Sequence, residues 1–264
     1  MADPYLRLAT AQIRAQTQYR ASFLLDVLGA MLLTALDLAT VFLLFGVRGE
    51  LSGFGGREVL LFAGLAVFAF PVADFAVGNI ERLRHYVRTG LFDTVLIRPL
   101  SAMAQLLAMD FAPRRVGRVV QGLVVYLLAL AVAGIDWTPA RVLLAVFAPL
   151  AGAVFFGSLF VAGATVAFWW IESGEFANAF TYGGRDLTSY PATVYGEWFR
   201  KLFVFGLGFA FVSYLPGLAL LGRDDPLGTP GWLHWCSPVV ALLAAAAAGL
   251  LWRTGIRHYR STGS

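Results

Sequence analysis

The sequence predicts an all-α membrane protein, with six transmembrane helices, an N-terminal interfacial helix and short helices at the cytoplasmic face. Three observations predict it. Hydrophobic residues make up 59% of the 264 positions, and the mean hydropathy of +0.72 lies well above that of a soluble domain. The apolar residues gather in six runs, most of them near the roughly 20 residues a helix needs to cross a bilayer. The arginines gather between alternate runs. The net charge of +4 and the pI near 9.5 do not point to nucleic acid, because the basic residues flank apolar runs and form no basic face. The single cysteine, Cys236, excludes an intrachain disulfide and a cysteine metal cluster. No secretory signal peptide is expected, since the first apolar run starts only near Ser22, is longer than a signal h-region and lacks a convincing cleavage site.

Residues 1–21 begin with Asp3 and Pro4, an N-cap and first-turn pair, and then mix Tyr5, Leu6, Ala9 and Ile13 with Arg7, Arg14 and Arg20. That mixture suits a helix lying on the membrane surface. The first span, 22–46, carries Asp26 and Asp37 on nearly the same helical face. Asp37 lies well inside, where a charge costs at least about 2.5–3.5 kcal/mol unless it is paired, protonated or hydrated. It marks either a polar pathway or a buried contact to a neighbouring helix. The second span, 59–78, contains Pro71 as an expected kink and Asp74 near its inner end. The third, 116–135, has Asp110, Arg114, Arg115 and Arg118 at its mouth. The short turn Asp136-Trp137-Thr138-Pro139 makes the third and fourth spans antiparallel neighbours. The fourth span, 142–171, is rich in small residues such as Gly152, Gly157 and Gly163, which permit close helix packing in lipid. Residues 172–197 are expected as a polar cytoplasmic loop broken at Gly183-Gly184 and Pro191, before a fifth span at 198–221. Segment 222–238, with Asp224, Asp225 and several prolines, is expected as an ordered external segment before the sixth span, 239–252. The whole chain, 1–264, is then one transmembrane domain.

Orientation follows from the basic residues. With both termini in the cytoplasm, sixteen arginines and lysines fall in inner segments and four, Arg48, Arg57, Arg141 and Arg223, in outer ones. The seven tryptophans fall at expected span ends, where amphipathic rings prefer to sit.

The stretch 80–115 follows the second span. Arg82, Arg84, Arg88 and Arg98 bar it from the bilayer core, while Leu83, Tyr86, Val87, Leu91, Val95 and Leu96 recur at helical spacing. Two short surface helices are expected, with a turn at Gly90, because glycine takes positive φ without steric cost, and a stop at Pro99. A weak echo links Thr89-Gly90-Leu91-Phe92 to Ser173-Gly174-Glu175-Phe176, each at the end of an inward-running span. If it holds, Gly174 and Phe176 make a second cytoplasmic contact.

Missing motifs also bound the function. No GxxxxGK[ST] loop occurs, and the only lysine, Lys201, follows Arg200, so the chain has no such phosphate cradle. There is no HExxH and no nucleophile elbow, and His85, His234 and His258 lie far apart in sequence. Neither a catalytic residue nor a cofactor or metal site is expected in this chain.

The run TGLFDTVLIRPLSA (residues 89–102) and the segment AFVSYLPGLALLG of the fifth span resemble the corresponding phrases of bacterial ABC type-2 exporter permeases. The resemblance extends to the surface helix, the six spans, the cytoplasmic termini and the external segment before the last span. It implies a permease subunit in the bacterial cytoplasmic membrane, paired with a second permease, identical or paralogous, and surrounded by membrane lipids. ATP and Mg²⁺ would be bound by separate ABC ATPase subunits, which would drive an apolar or amphiphilic substrate outward. The helices around Gly90 would be the coupling segment. Leu91, Phe92, Val95 and Leu96 would supply its apolar contact, and Arg88 and Asp93 would flank it. The basic run ERLRHYVR departs from the family pattern. Two other readings are a self-sufficient secondary transporter or channel using Asp37 and Asp74, and a membrane scaffold. The absence of an evident broken-helix pair in the sequence weighs against the transporter.

Overall fold

In a computed structural model of the chain, the described residues are Gly29, 50–109 and 115–260. The expected interfacial helix, the first span apart from Gly29, and Asp37 lie outside them. Among the described residues the fold is helical apart from one small hairpin, in which β1 (Glu50–Leu51) pairs antiparallel with β2 (Phe54–Gly55). Among the described residues, four helices are long and apolar enough to cross a membrane.

The first is α1 (Gly56–Val77). Its start is fixed by Glu58, whose carboxylate accepts from the Gly55 N–H at 2.8 Å. It contains Pro71 and runs on through a tight turn, Gly78–Arg82, into α2 (Leu83–Arg88). Gly90 follows at φ 74°, and then α3 (Leu91–Leu96) and α4 (Ala102–Met109). The two short helices broken at Gly90 are therefore present. Next comes α5 (Arg115–Val132), which packs along α1, and a short turn leads into α6 (Pro139–Thr165), which also packs on α1. Helices α5 and α6 meet at Tyr126, whose Oη donates to Ala145 O at 2.8 Å. Thr138 caps α6 by accepting from the Arg141 N–H, with Pro139 in the first turn. The last long helix is α10 (Ser237–His258). It lies beside α6 and runs the same way, Ala241 sharing a core with Ala151 and Gly255 meeting Thr165 and Phe168.

Small residues set these crossings. A Cβ on Gly122 would strike the Val67 carbonyl, and one on Gly152 would sit 2.9 Å from Ala69 Cβ. Lipid tails offer no hydrophobic drive for helices to associate, so such close backbone approach is what holds them. Val120, Leu127 and Leu128 of α5, Leu143 and Phe147 of α6, and Leu242, Leu243 and Leu250 of α10 remain exposed.

The chain between α6 and α10 differs from expectation in two ways. Residues 174–188 form a helix, α7 (Gly174–Thr188), that runs antiparallel along α1. Near its start Gly174 abuts Arg84, and Tyr182 donates to Glu81 and packs on Phe70. Beyond its end, Thr193 donates to Ser52 O at 3.3 Å, and Ala192 is buried with Phe54 and Val59. Residues 192–193 therefore lie against the β-hairpin, whereas the sequence reading has 172–197 and 47–58 on opposite faces. Physically, α7 buries one face against α1 and α6 and keeps Glu175, Arg185 and Asp186, so it has no continuous apolar run to betray it.

The second difference is the stretch expected as the fifth span. It is broken, with Glu197–Gly206 and Phe209–Leu221 bent by 64° at Leu207-Gly208, where Gly208 takes φ 90°. The first half is α8 (Glu197–Phe199) running into a π-helical stretch, Arg200–Gly206. The second ends in α9 (Tyr214–Leu221). A broken pair thus exists that the sequence does not announce. Arg223, just past α9, donates to both Glu58 oxygens at 2.7 and 2.8 Å and sits over the Phe54 ring, pinning α9 to the start of α1.

Segment 222–238 is tied together by side-chain hydrogen bonds. Asp225, buried, accepts from Tyr214 Oη, from Thr229 Oγ1 and from the Leu227 N–H. Trp252 is also unlike the other six tryptophans. It is buried inside α10 against Phe168, so it serves the core rather than a membrane-interface belt.

Candidate functional site

The inner end of the bundle gathers α2, α3, α4, the end of α6 and the residue after α10. The sequence makes α3 here because Gly90 supplies the left-handed turn that lets the chain reverse between two amphipathic helices. Thr89 Oγ1 bonds His85 O at 2.8 Å and Thr94 Oγ1 bonds Leu91 O at 2.7 Å, which keeps these hydroxyls on their own backbone.

Phe92 and Val95 point inward. Phe92 is fully buried, 4.9 Å from the Tyr259 ring and 5.3 Å from Phe168. Asp93 accepts a 2.9 Å hydrogen bond from Tyr259 Oη. Burial, with the Asp93 carboxylate beside it, pushes the Tyr259 phenol up to about 12, so it stays protonated as the donor at neutral pH. Below α3, Gln105 donates from one amide nitrogen to Val95 O and Leu100 O, at 3.0 and 3.1 Å, and so closes the turn between α3 and α4.

Leu91 and Leu96 point outward and are exposed, as is Ile97 at 83%, with Arg98 and Pro99 beside them. The seven residues expected to form the coupling contact are therefore brought together but not on one surface. Phe92 and Val95 form the base, Asp93 the clasp to Tyr259, Leu91 and Leu96 the outer face, and Gly90 the hinge. Arg88 sits 3.8 Å from Glu172, both side chains mostly exposed, a pair worth about 0–1 kcal/mol. Sequence reasoning passed over Tyr259, Phe168, Gln105 and Ile97. Only Ile97 carries a signal, as an apolar residue between Leu96 and Arg98 in a segment barred from the bilayer.

Gly174 is half-buried, and the Arg84 guanidinium lies where its side chain would be. Phe176 is exposed and packs on Phe180 at 5.0 Å and Trp170 at 6.3 Å.

Asp74 is buried and ion-paired, 3.3 Å from Arg115 Nε and 3.6 Å from Arg118 Nη1. Arg115 also donates to Asp74 O and Asn79 Oδ1, both at 2.9 Å, and Asn79 donates to Leu107 O at 3.0 Å. Gly78 leaves room for this lock, since a Cβ there would strike Asp74 Oδ1. Two guanidiniums compensate the carboxylate, which serves to join α1 to α5. Asp37, the other acid expected at an intramembrane polar site, lies outside the described residues.

A family model described as "ABC-2 family transporter protein" matches residues 31–263. The chain belongs to the ABC-2 transporter family. It is a multi-pass membrane transport subunit and not itself a catalyst. No curated protein and no solved structure matches it significantly.

Proposed function

We propose that this ABC-2 subunit is the permease of an ATP-driven exporter in a bacterial cytoplasmic membrane, with both termini cytoplasmic. It acts as one of two permeases, identical or paralogous, on two separate ATPase subunits that bind ATP and Mg²⁺. Membrane lipids surround it and nucleic acid is no partner. The observation that carries this reading is the exposed apolar face of Leu91, Leu96 and Ile97 on a base that is fully packed. A few residues packed at the centre of an interface usually carry most of its binding energy, each costing about 2 kcal/mol or more when truncated. ATPase closure would push on α3, and the Phe92–Tyr259–Phe168 contacts would carry the push to α10 and α6 together. The substrate would be apolar or amphiphilic and would leave outward. Phe176 would make a second, smaller contact at the same face.

The test is purification of the tagged chain from native membranes, with mass spectrometry for a co-purifying subunit that carries a phosphate-binding loop. The isolated chain should hydrolyse no ATP. Robust hydrolysis by the rigorously purified chain, or proton-driven transport without ATP, would overturn the reading. The secondary-transporter alternative gains a broken helix but loses Asp74 as a free proton site, since that carboxylate is held by two arginines.

A further inference from the structure

A cavity of about 660 Å³ lies between α7 and the broken segment 195–209, within the range of roughly 300–1,000 Å³ typical of ligand sites. One wall is an aromatic ladder at helical spacing, with Tyr195 5.7 Å from Phe199 and Phe199 stacked 4.7 Å from Phe203. The facing wall is one stripe of α7, made of Ala179, Gly183 and Asp186, with Tyr190 just past its end. Gly183 opens the space, because a Cβ there would meet nothing within 4 Å.

Asp186 is the anomaly. Its neighbour Arg185 turns the other way and lies over the Phe70 ring, well inside α1, so Asp186 sits at membrane depth. Among the described residues no arginine or lysine pairs with it. An ionisable side chain at that depth, without a cationic partner among the described residues, is by default a site for something else. Aromatic faces and a carboxylate together attract one ligand chemistry, a cation on an apolar body.

We propose that this cavity binds an amphiphilic cation, with Asp186 as the counter-charge and Phe199, Phe203 and Tyr190 as the apolar and cation–π walls. This deepens the exporter reading by naming its substrate class. It is tested without ATP or ATPase, so its failure is separate from that reading's.

The probe is tetraphenylphosphonium, measured by equilibrium dialysis against the full purified chain in lipid nanodiscs, with neutral triphenylphosphine oxide as the control. Wild type should bind the cation at least about tenfold tighter than the neutral control. Asp186→Asn should abolish that preference and Asp186→Glu should retain it. Gly183→Leu, which fills the cavity without touching the charge and suits a helix, should weaken both probes about tenfold or more. Equal binding of both probes by wild type, or an unchanged cation affinity in Asp186→Asn, overturns the proposal and leaves a lipid-chain pocket. Should Asp186→Asn fail to run as a single species on size exclusion, Gly183→Leu and Phe203→Ala decide it, and full binding by both overturns it. Intact binding with no ATP-driven export would count against the exporter reading alone.

Discussion

Tyr259 Oη donates to Asp93 Oδ1 across 2.9 Å, tying the residue that ends α10 to the short helix of the inner face. Phe92, one residue earlier, meets the same tyrosine edge-on, and both pack at an angle against Phe168, just past the end of α6. Helix α3 is thus fastened to two long helices that run side by side. In the proposed coupling, a push on its outer face would move both, because packed cores shift between discrete arrangements rather than deforming continuously.

The inner and outer faces of α3 should separate by mutation. Ile97→Asp should leave thermal unfolding of the chain within about 0.5 kcal/mol of wild type, as exposed substitutions usually do, while abolishing ATPase co-purification. Phe92→Ala should cost about 3–5 kcal/mol of stability, because it opens a cavity in a fully buried contact. Tm in detergent and a pull-down read the two effects. An Ile97→Asp chain that keeps its ATPase would sink the docking face.

The clasp has a pH signature of known sign. The Tyr259 phenol is raised from an ordinary 10 to about 12, so its contribution is fully present below pH 10 and is lost as pH rises through 12. Between those values the wild-type chain should lose more stability than Tyr259→Phe, which has no proton to release. Parallel pH slopes for the two would show that Tyr259 does not hold α3.

Much of this was legible in the sequence, and for identifiable reasons. Long apolar runs carry α1, α6 and α10, and the glycine between two amphipathic turns carries the Gly90 break. What the sequence hid depends on burial at a distance. Phe92 reads as an exposed anchor because its partners, Phe168 and Tyr259, come from far along the chain. Helix α7 reads as a loop because Gly183-Gly184 and Arg185-Asp186 look like breakers. In the fold Gly184 is the seat for the Phe209 ring and Arg185 covers Phe70.

The Asp74 lock should fail asymmetrically. Arg115→Ala leaves a buried carboxylate short of its nearest partner and should cost about 3–5 kcal/mol, whereas Asp74→Asn, which removes the charge itself, should cost less. Chemical denaturation monitored by tryptophan fluorescence measures both. If Asp74→Asn instead folds normally and selectively abolishes transport, Asp74 is a functional acid and the secondary-transporter reading revives.

The course of α7 gives the last expectation. Ser52 and Thr193 share a hydrogen bond, while Tyr182 reaches Glu81 at the far end of α1. A segment made of α7 and the residues after it, which meets the turn following α1 at one end and the hairpin preceding α1 at the other, should pass from one face to the other. Residues 192–201 then lie on the face of the β-hairpin, and the bent pair that follows starts and ends there. The basic bias survives this change, because Arg82, Arg84, Arg88, Arg98, Arg115 and Arg118 stay on the opposite face, and Lys201 is paired with Glu197. In a Cys236→Ala background, cysteines placed at Ser52 and at Val194, an exposed position, should react with a membrane-impermeant maleimide from the same side. A cysteine at Thr89 should react from the other. A short bis-maleimide should also join cysteines at Ser52 and Thr193 within one chain. Labelling of Val194 from the side of Thr89, with no such crosslink, would return residues 172–197 to the cytoplasm and the fifth crossing to 198–221.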